Sequence, residues 1–160
     1  MLVGSSLKVI NPDHFLETEK GRLWTAERSK EAWAQCYATL AKYLSDRSRL
    51  WTVAIVCGLQ GAGKTTWINQ QEDHAGTIYF DAALPGARHR RPIIDIALSA
   101  GADVEAVWIK SPLSLALARN AQRSPDTQVP ESSIRSVDEQ FEAPVTSEGF
   151  TRIRTITPQQ

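Results

Sequence analysis

Cysteine is nearly missing from this chain: Cys36 and Cys57 are the two among 160 residues. One falls in a helical pattern and the other in a buried-strand pattern, so both are expected as small core residues and not as a disulfide. No group of Cys and His has metal-ligand spacing, which removes the zinc-site classes. An excess of charge of one sign is also lacking, with 18 Lys and Arg against 18 Asp and Glu. The chain-wide basic surplus typical of nucleic-acid binders is therefore absent, and such a partner would need a local patch. No apolar run approaches the roughly 20 residues that span a bilayer. Met1 to Ile10 has no basic stretch followed by a long apolar one, so no signal peptide is expected there. These absences lead us to expect a cytoplasmic protein without membrane contact. With 42% hydrophobic and 22% charged residues, wholesale disorder is excluded, and the length suits one domain over residues 1–160.

What is present alternates. Leu7 to Ile10 is a short apolar run halted at Asn11-Pro12-Asp13, where proline removes a backbone donor. Thr25 to Leu44 is helical, with Trp33, Cys36, Tyr37, Leu40 and Leu44 recurring at three- and four-residue steps and Thr25 as N-cap. Trp51 to Cys57 is nearly continuous apolar sequence rich in β-branched residues, as in a parallel strand buried on both faces. A glycine-rich turn and a helix from about Lys64 to Gln71 follow. Thr77 to Phe80 is the next strand, ending at Asp81; Arg88 to Ala100 is a helix closed by Gly101. Val104 to Ile109 is a buried strand, Ser111-Pro112 opens a helix to about Arg123, Pro130 opens another to about Phe141, and Thr151 to Ile156 is a last strand. Alternating strands and helices predict an α/β fold: a five-stranded, mostly parallel sheet with helices on both faces. The expected order across the sheet is 7–10, 77–80, 51–57, 104–109, 151–156.

The segment Gly58-Leu59-Gln60-Gly61-Ala62-Gly63-Lys64-Thr65 fits the phosphate-binding pattern G-x-x-x-x-G-K-[ST] at every constrained position, and it lies between a strand and a helix as that pattern requires. The glycines let the backbone fold tightly enough for successive N–H groups to face phosphate oxygens. Lys64 supplies a point charge for the β- and γ-phosphates, and the Thr65 hydroxyl is a magnesium ligand. Gly58, Gly61, Ala62, Gly63, Lys64, Thr65 and Thr66 are the expected nucleotide-binding residues, for ATP or another nucleoside triphosphate with Mg2+. A chain this short has no room for the lid domain of a mechanical ATPase, and no Asn-Lys-x-Asp guanine-reading segment is present.

Ala106-Val107-Trp108-Ile109-Lys110-Ser111-Pro112-Leu113, continuing to Ala118-Arg119-Asn120-Ala121-Gln122-Arg123, resembles the small P-loop kinases of the polynucleotide-kinase and zeta-toxin group. Val129-Pro130-Glu131, Pro144 with Glu148-Gly149-Phe150, and the strand Ile78-Tyr79-Phe80-Asp81-Ala82 with Arg88 downstream are similar to the same group. The resemblance covers most of Trp51 to Phe150. It implies a single P-loop kinase domain with a lid near 119–130. Independently, Arg119 and Arg123 lie four apart on one helical face, where two cations can clamp the moving phosphate. A solvated helix end that complements the dipole is the less favoured alternative.

In that group a second strand follows the P-loop helix and ends in an Asn-x-Asp segment, whose Asp takes the acceptor's proton. Here the P-loop helix runs almost directly to Asp81. Val9-Ile10-Asn11-Pro12-Asp13-His14-Phe15 looks like the displaced segment, at the front of the chain. The chain thus resembles a circular permutation, with an acceptor-side strand and helix in 1–50 and a nucleotide-binding core in 51–160. The group's arginine three residues after this Asp is replaced by Leu16. The resemblance implies transfer of the γ-phosphate to a hydroxyl of DNA or RNA, a 5′ end or a hydroxymethylated base. A small-molecule kinase (for a sugar, nucleoside or antibiotic) and a nucleotide-switch binding module are the alternatives. The expected catalytic residues are Lys64, Asp13, Asp81, Arg119 and Arg123, with Asp13 or Asp81 as general base and Thr65 with Asp81 on the metal. Asp13, Arg88 and Arg91 are expected to bind the acceptor, the last two from the basic run Arg88-His89-Arg90-Arg91, which a solvated helix face also explains.

Overall fold

A computed structural model describes residues 7–72 and 75–158. Met1 to Ser6, most of the segment considered above for a signal peptide, lie outside the described residues. The strands are β1 (Lys8–Ile10), β2 (Glu17–Thr18), β3 (Gly21–Arg22), β4 (Thr52–Cys57), β5 (Thr77–Asp81), β6 (Asp103–Ile109) and β7 (Arg152–Ile156). The α-helices are α1 (Ala26–Leu44), α2 (Lys64–Asn69), α3 (Ala87–Ser99), α4 (Leu113–Ala121) and α5 (Glu131–Gln140), with short 3-10 helices at Pro12–Leu16 and Thr146–Glu148.

Five strands form one sheet in the order β1-β5-β4-β6-β7, and every pairing in it is parallel. This is the α/β architecture and the strand order expected from the alternation of elements. Strand β4 shows why it forms. Its residues are almost all buried, and because side chains alternate across a strand, Val53, Ile55 and Cys57 enter one core while Ala54 and Val56 enter the other. Helices α1 and α3 cover the first face through Cys36, Leu40, Leu44, Ile93, Ile94 and Ala97. Helices α2, α4 and α5 cover the second through Ile68, Ala116 and Ile134. Thr25 caps α1 as expected, its hydroxyl accepting from the Arg28 N–H at 3.0 Å.

Because the five strands run the same way, their carboxyl ends share one edge of the sheet. Asn11, Gly58, Asp81, Lys110 and Thr155-Ile156 therefore gather there, at the edge where open α/β sheets bind ligands. Chain order does not matter to this convergence. Strand β1 pairs with β5 in the register Ile10 to Phe80, which sets Asn11 beside Asp81 although 70 residues separate them. The small hairpin β2–β3 was not expected; it extends from the 3-10 turn and hangs over the same edge.

Candidate active site

A cleft of about 1010 Å³ opens along the carboxyl edge of the sheet. One wall is the P-loop and α2, another is α4 with the loop that follows it, and the third comes from residues 11–33.

The P-loop has the backbone that its glycines permit. Gly58 has φ 148° and Gly61 has φ 84°. A Cβ on Gly58 would stand 2.6 Å from the Ile109 carbonyl oxygen, and one on Gly61 would stand 2.5 Å from that of Ala116. Both contacts are impossible for a side chain, so these two positions require glycine in order to lie against β6 and α4. Lys64 is half-buried at the cleft floor, and its Nζ donates to the Gly58 carbonyl at 3.2 Å and the Leu59 carbonyl at 2.9 Å. Desolvation lowers its pKa from the ordinary lysine value; Asp81 opposes the shift, Arg123 adds to it, and Asp13 opposes it weakly.

The Thr65 hydroxyl donates to Asp81 Oδ2 at 2.8 Å, and Asn11 Nδ2 donates to the same oxygen at 3.3 Å. Asp81 is 2% exposed. Thr65 and Asp81 thus set two hard oxygen atoms side by side, a donor type that would suit a magnesium ion. Among the described residues no group of three or more His, Cys, Asp or Glu could cage a metal. Asp13 differs from Asp81. It ends the 3-10 turn's first step, its N–H is held by Asn11 Oδ1 at 2.9 Å, and its side chain is 47% exposed into the cleft.

Arg119 and Arg123 both line the cleft. Arg119 Nη1 donates to the Ala62 carbonyl at 3.2 Å, tying α4 to the P-loop. Asn120, beside it, is buried and clasps the backbone of Val129 twice, donating to its carbonyl at 2.7 Å and accepting from its N–H at 2.9 Å. The loop between them is pinned at its base. At its tip, Asp126 Oδ2 accepts from the Arg22 N–H of β3 at 3.1 Å. The loop therefore meets the hairpin across the cleft.

One expectation needs correction. Arg88 and Arg91 do not line the cleft. Four consecutive helical residues point around the whole cylinder and cannot make one patch. Arg88 is exposed, while Arg91 donates to the Glu148 carbonyl and pairs with Asp95 at 3.3 Å. Arg90 is fully buried on Glu148, at 2.8 and 3.0 Å. Glu148, part of the resemblance to the kinase group, thus belongs to the scaffold. Leu16, where the group has an arginine, is buried, and the cation beside Asp13 comes instead from β3. Arg22 Nη1 donates to Asp13 Oδ2 at 3.4 Å, while Nε and Nη2 both donate to Glu17 Oε1 at 3.1 Å. No sequence signal marked Arg22, since spacing along the chain says nothing of a hairpin this short. Trp24 and Trp33 also line the cleft. Trp33 was expected in the core, and it does stack on Phe80 with ring centroids 5.8 Å apart, so it serves both as core and as wall.

No family model and no curated protein matches the sequence. Among solved structures, the AvrRxo1-ORF1:AvrRxo1-ORF2 complex with sulphate ions is similar at 18% identity and a TM-score of 0.49, over 71% of this chain. The match covers 56% of that structure's chain, so this chain spans little more than half its length. No described helix is long and apolar enough to cross a membrane.

Proposed function

We propose that this chain is a P-loop phosphotransferase that moves the γ-phosphate of ATP, or another nucleoside triphosphate, to a hydroxyl. One observation carries the reading: Lys64, Thr65, Asp81, Arg119, Arg123 and Asp13 line a single cleft, although they come from four separate stretches of chain. In this reading the P-loop amides of Gly58 to Thr66 and the Lys64 ammonium hold the phosphates. Thr65 and Asp81 would hold Mg2+, which supplies charge neutralisation between the β- and γ-phosphates when bound. The Asp13 carboxylate accepts the acceptor hydroxyl's proton as that oxygen bonds to the γ-phosphorus. The bond from phosphorus to the β–γ bridging oxygen breaks, and ADP leaves. Arg119 and Arg123 offset the charge that shifts onto the transferred group. Asp81 is a poorer base, because its Oδ2 already accepts two hydrogen bonds.

The resemblance to polynucleotide kinases points to a nucleic-acid acceptor. The basic run that would have gripped one lies off the cleft, however, and that observation favours the small-molecule alternative. Lys64→Ala tests the phosphate site: binding of a fluorescent ATP analogue and acceptor-dependent ADP release should both be lost while circular dichroism stays unchanged. Normal ADP release by that variant would overturn the assignment. Nucleotide binding by the wild type without any acceptor-dependent release would leave a nucleotide-switch module in its place.

A further inference from the structure

We infer that the acceptor is an uncharged alcohol carrying a planar ring, seated against Trp24 and Trp33, and not a nucleic-acid strand. The inference rests on the phosphotransfer reading and names the substrate class for that site.

Charge is the first argument. The acceptor side of the cleft comes from residues 11–33, and Arg22 is its one lining cation among the described residues. Its guanidinium is already engaged by Glu17 and Asp13. Asp13 and Arg22 are the charged lining residues of this wall and offset each other; Glu17, outside the lining, occupies the rest of the guanidinium, and Asp126 at the rim adds a negative charge. Lys64, Arg119 and Arg123 belong to the P-loop and the α4 segment, where the triphosphate's own charge is placed. A strand of nucleic acid draws its affinity from cations along its phosphates, and none is free on this wall. A cationic acceptor is disfavoured for a different reason: it would pair with Asp13 and keep that carboxylate from taking a proton.

The second argument is shape. Trp24 is 67% exposed at the cleft, an unusual place for an indole without a partner. Trp33 is fixed in orientation by stacking on Phe80, with 19° between the ring planes. Two indoles lining a cleft suit a flat ring. The volume agrees, since about 1010 Å³ is at the upper end of the ~300–1,000 Å³ typical of one drug-sized ligand.

Calorimetric titration of the whole chain, holding a non-hydrolysable ATP analogue and magnesium, tests this with adenosine, uridine and a short oligothymidylate bearing a free 5′-hydroxyl. A nucleoside should bind with little dependence on salt, and Trp24→Ala should weaken it by about tenfold or more while the affinity for the ATP analogue stays unchanged. Tighter binding of the oligothymidylate, falling steeply with salt, would overturn the inference, as would equal nucleoside affinity in Trp24→Ala. Nucleoside binding with no release of ADP from ATP would instead overturn the phosphotransfer reading and leave the ligand class standing.

Discussion

Asp13 and Asp81 follow neighbouring parallel strands, yet their surroundings suit them to different work. Asp81 is enclosed and its Oδ2 receives the Thr65 hydroxyl and the Asn11 amide, so in the proposed phosphotransfer it would hold the cation with Thr65. Asp13 is about half exposed to the cleft, with one long contact from Arg22 at 3.4 Å, and retains lone pairs for a proton. Asp13→Asn keeps the shape and removes the basicity. Turnover should fall by roughly 100-fold or more, the usual scale for losing a general base, with ATP affinity nearly unchanged. Steady-state kinetics beside equilibrium nucleotide binding would check both halves. Near-normal turnover would transfer the base role to Asp81. The two cysteines present the opposite case, of residues whose position makes them inert. Burial pushes both thiols up to about 12, helped at Cys36 by the nearby Asp13 charge.

Among the elements, α4 and the loop after it depend on residues that the sequence displayed without explaining. Arg119-Asn120 was readable as a pair, but only the fold shows that the two side chains face different tasks: Arg119 reaches the P-loop carbonyl of Ala62, and Asn120 locks the loop's base to Val129. The loop tip then leans on the hairpin through Asp126. This contact joins the hairpin wall to the wall made by α4 and its loop. Asp126→Ala removes the bridge and one lining carboxylate of the loop, and leaves the P-loop and the hairpin residues unchanged. We expect a several-fold rise in the KM for the acceptor, with nucleotide affinity preserved, measured by initial rates at saturating ATP. An unchanged KM would show that the hairpin and loop act independently. The hairpin itself was not legible. Strands β2 and β3 have two residues each, too short for alternation to register, and their geometry depends on the 3-10 turn beneath them.

For the whole molecule, the Arg90–Glu148 pair shows how the late part of the chain is anchored. Arg90 on α3 is fully buried and bidentate on Glu148, which also accepts from the Val145 N–H at 3.0 Å. Burial alone would raise the carboxyl's pKa, but the hydrogen bonds from Arg90 and Val145 outweigh it and hold it below the ordinary 4.5. A carboxylate with a depressed folded pKa stabilises the fold above its unfolded value, and that contribution is lost as pH falls through the lowered value. Glu148→Ala leaves Arg90 buried without its ion partner and should cost about 3–5 kcal/mol. Urea denaturation near neutral pH would measure the loss, and the variant's stability should depend less on pH below about 4.5 than the wild type's. Because neither residue lines the cleft, any loss of activity should follow the loss of folded protein.

Local chemistry was enough to read the P-loop and the strand and helix types, because each rests on patterns that neighbouring residues share: glycine spacing and two-residue and three-to-four-residue periodicity. The place of Asn11-Pro12-Asp13 was indicated by its resemblance to the kinase group's Asn-x-Asp segment, and the pairing of β1 with β5 sets it at the carboxyl edge. Beyond Lys64, Arg119 and Arg123, tertiary structure alone decided which cations face the cleft. Arg88 and Arg91 looked available and are turned away, Arg90 is consumed by Glu148, and Arg22 enters from a hairpin that periodicity cannot register. A side chain's charge is written in the sequence, but the direction it points is set by helix phase and by partners 57 or 58 residues distant, and only the folded chain brings those together.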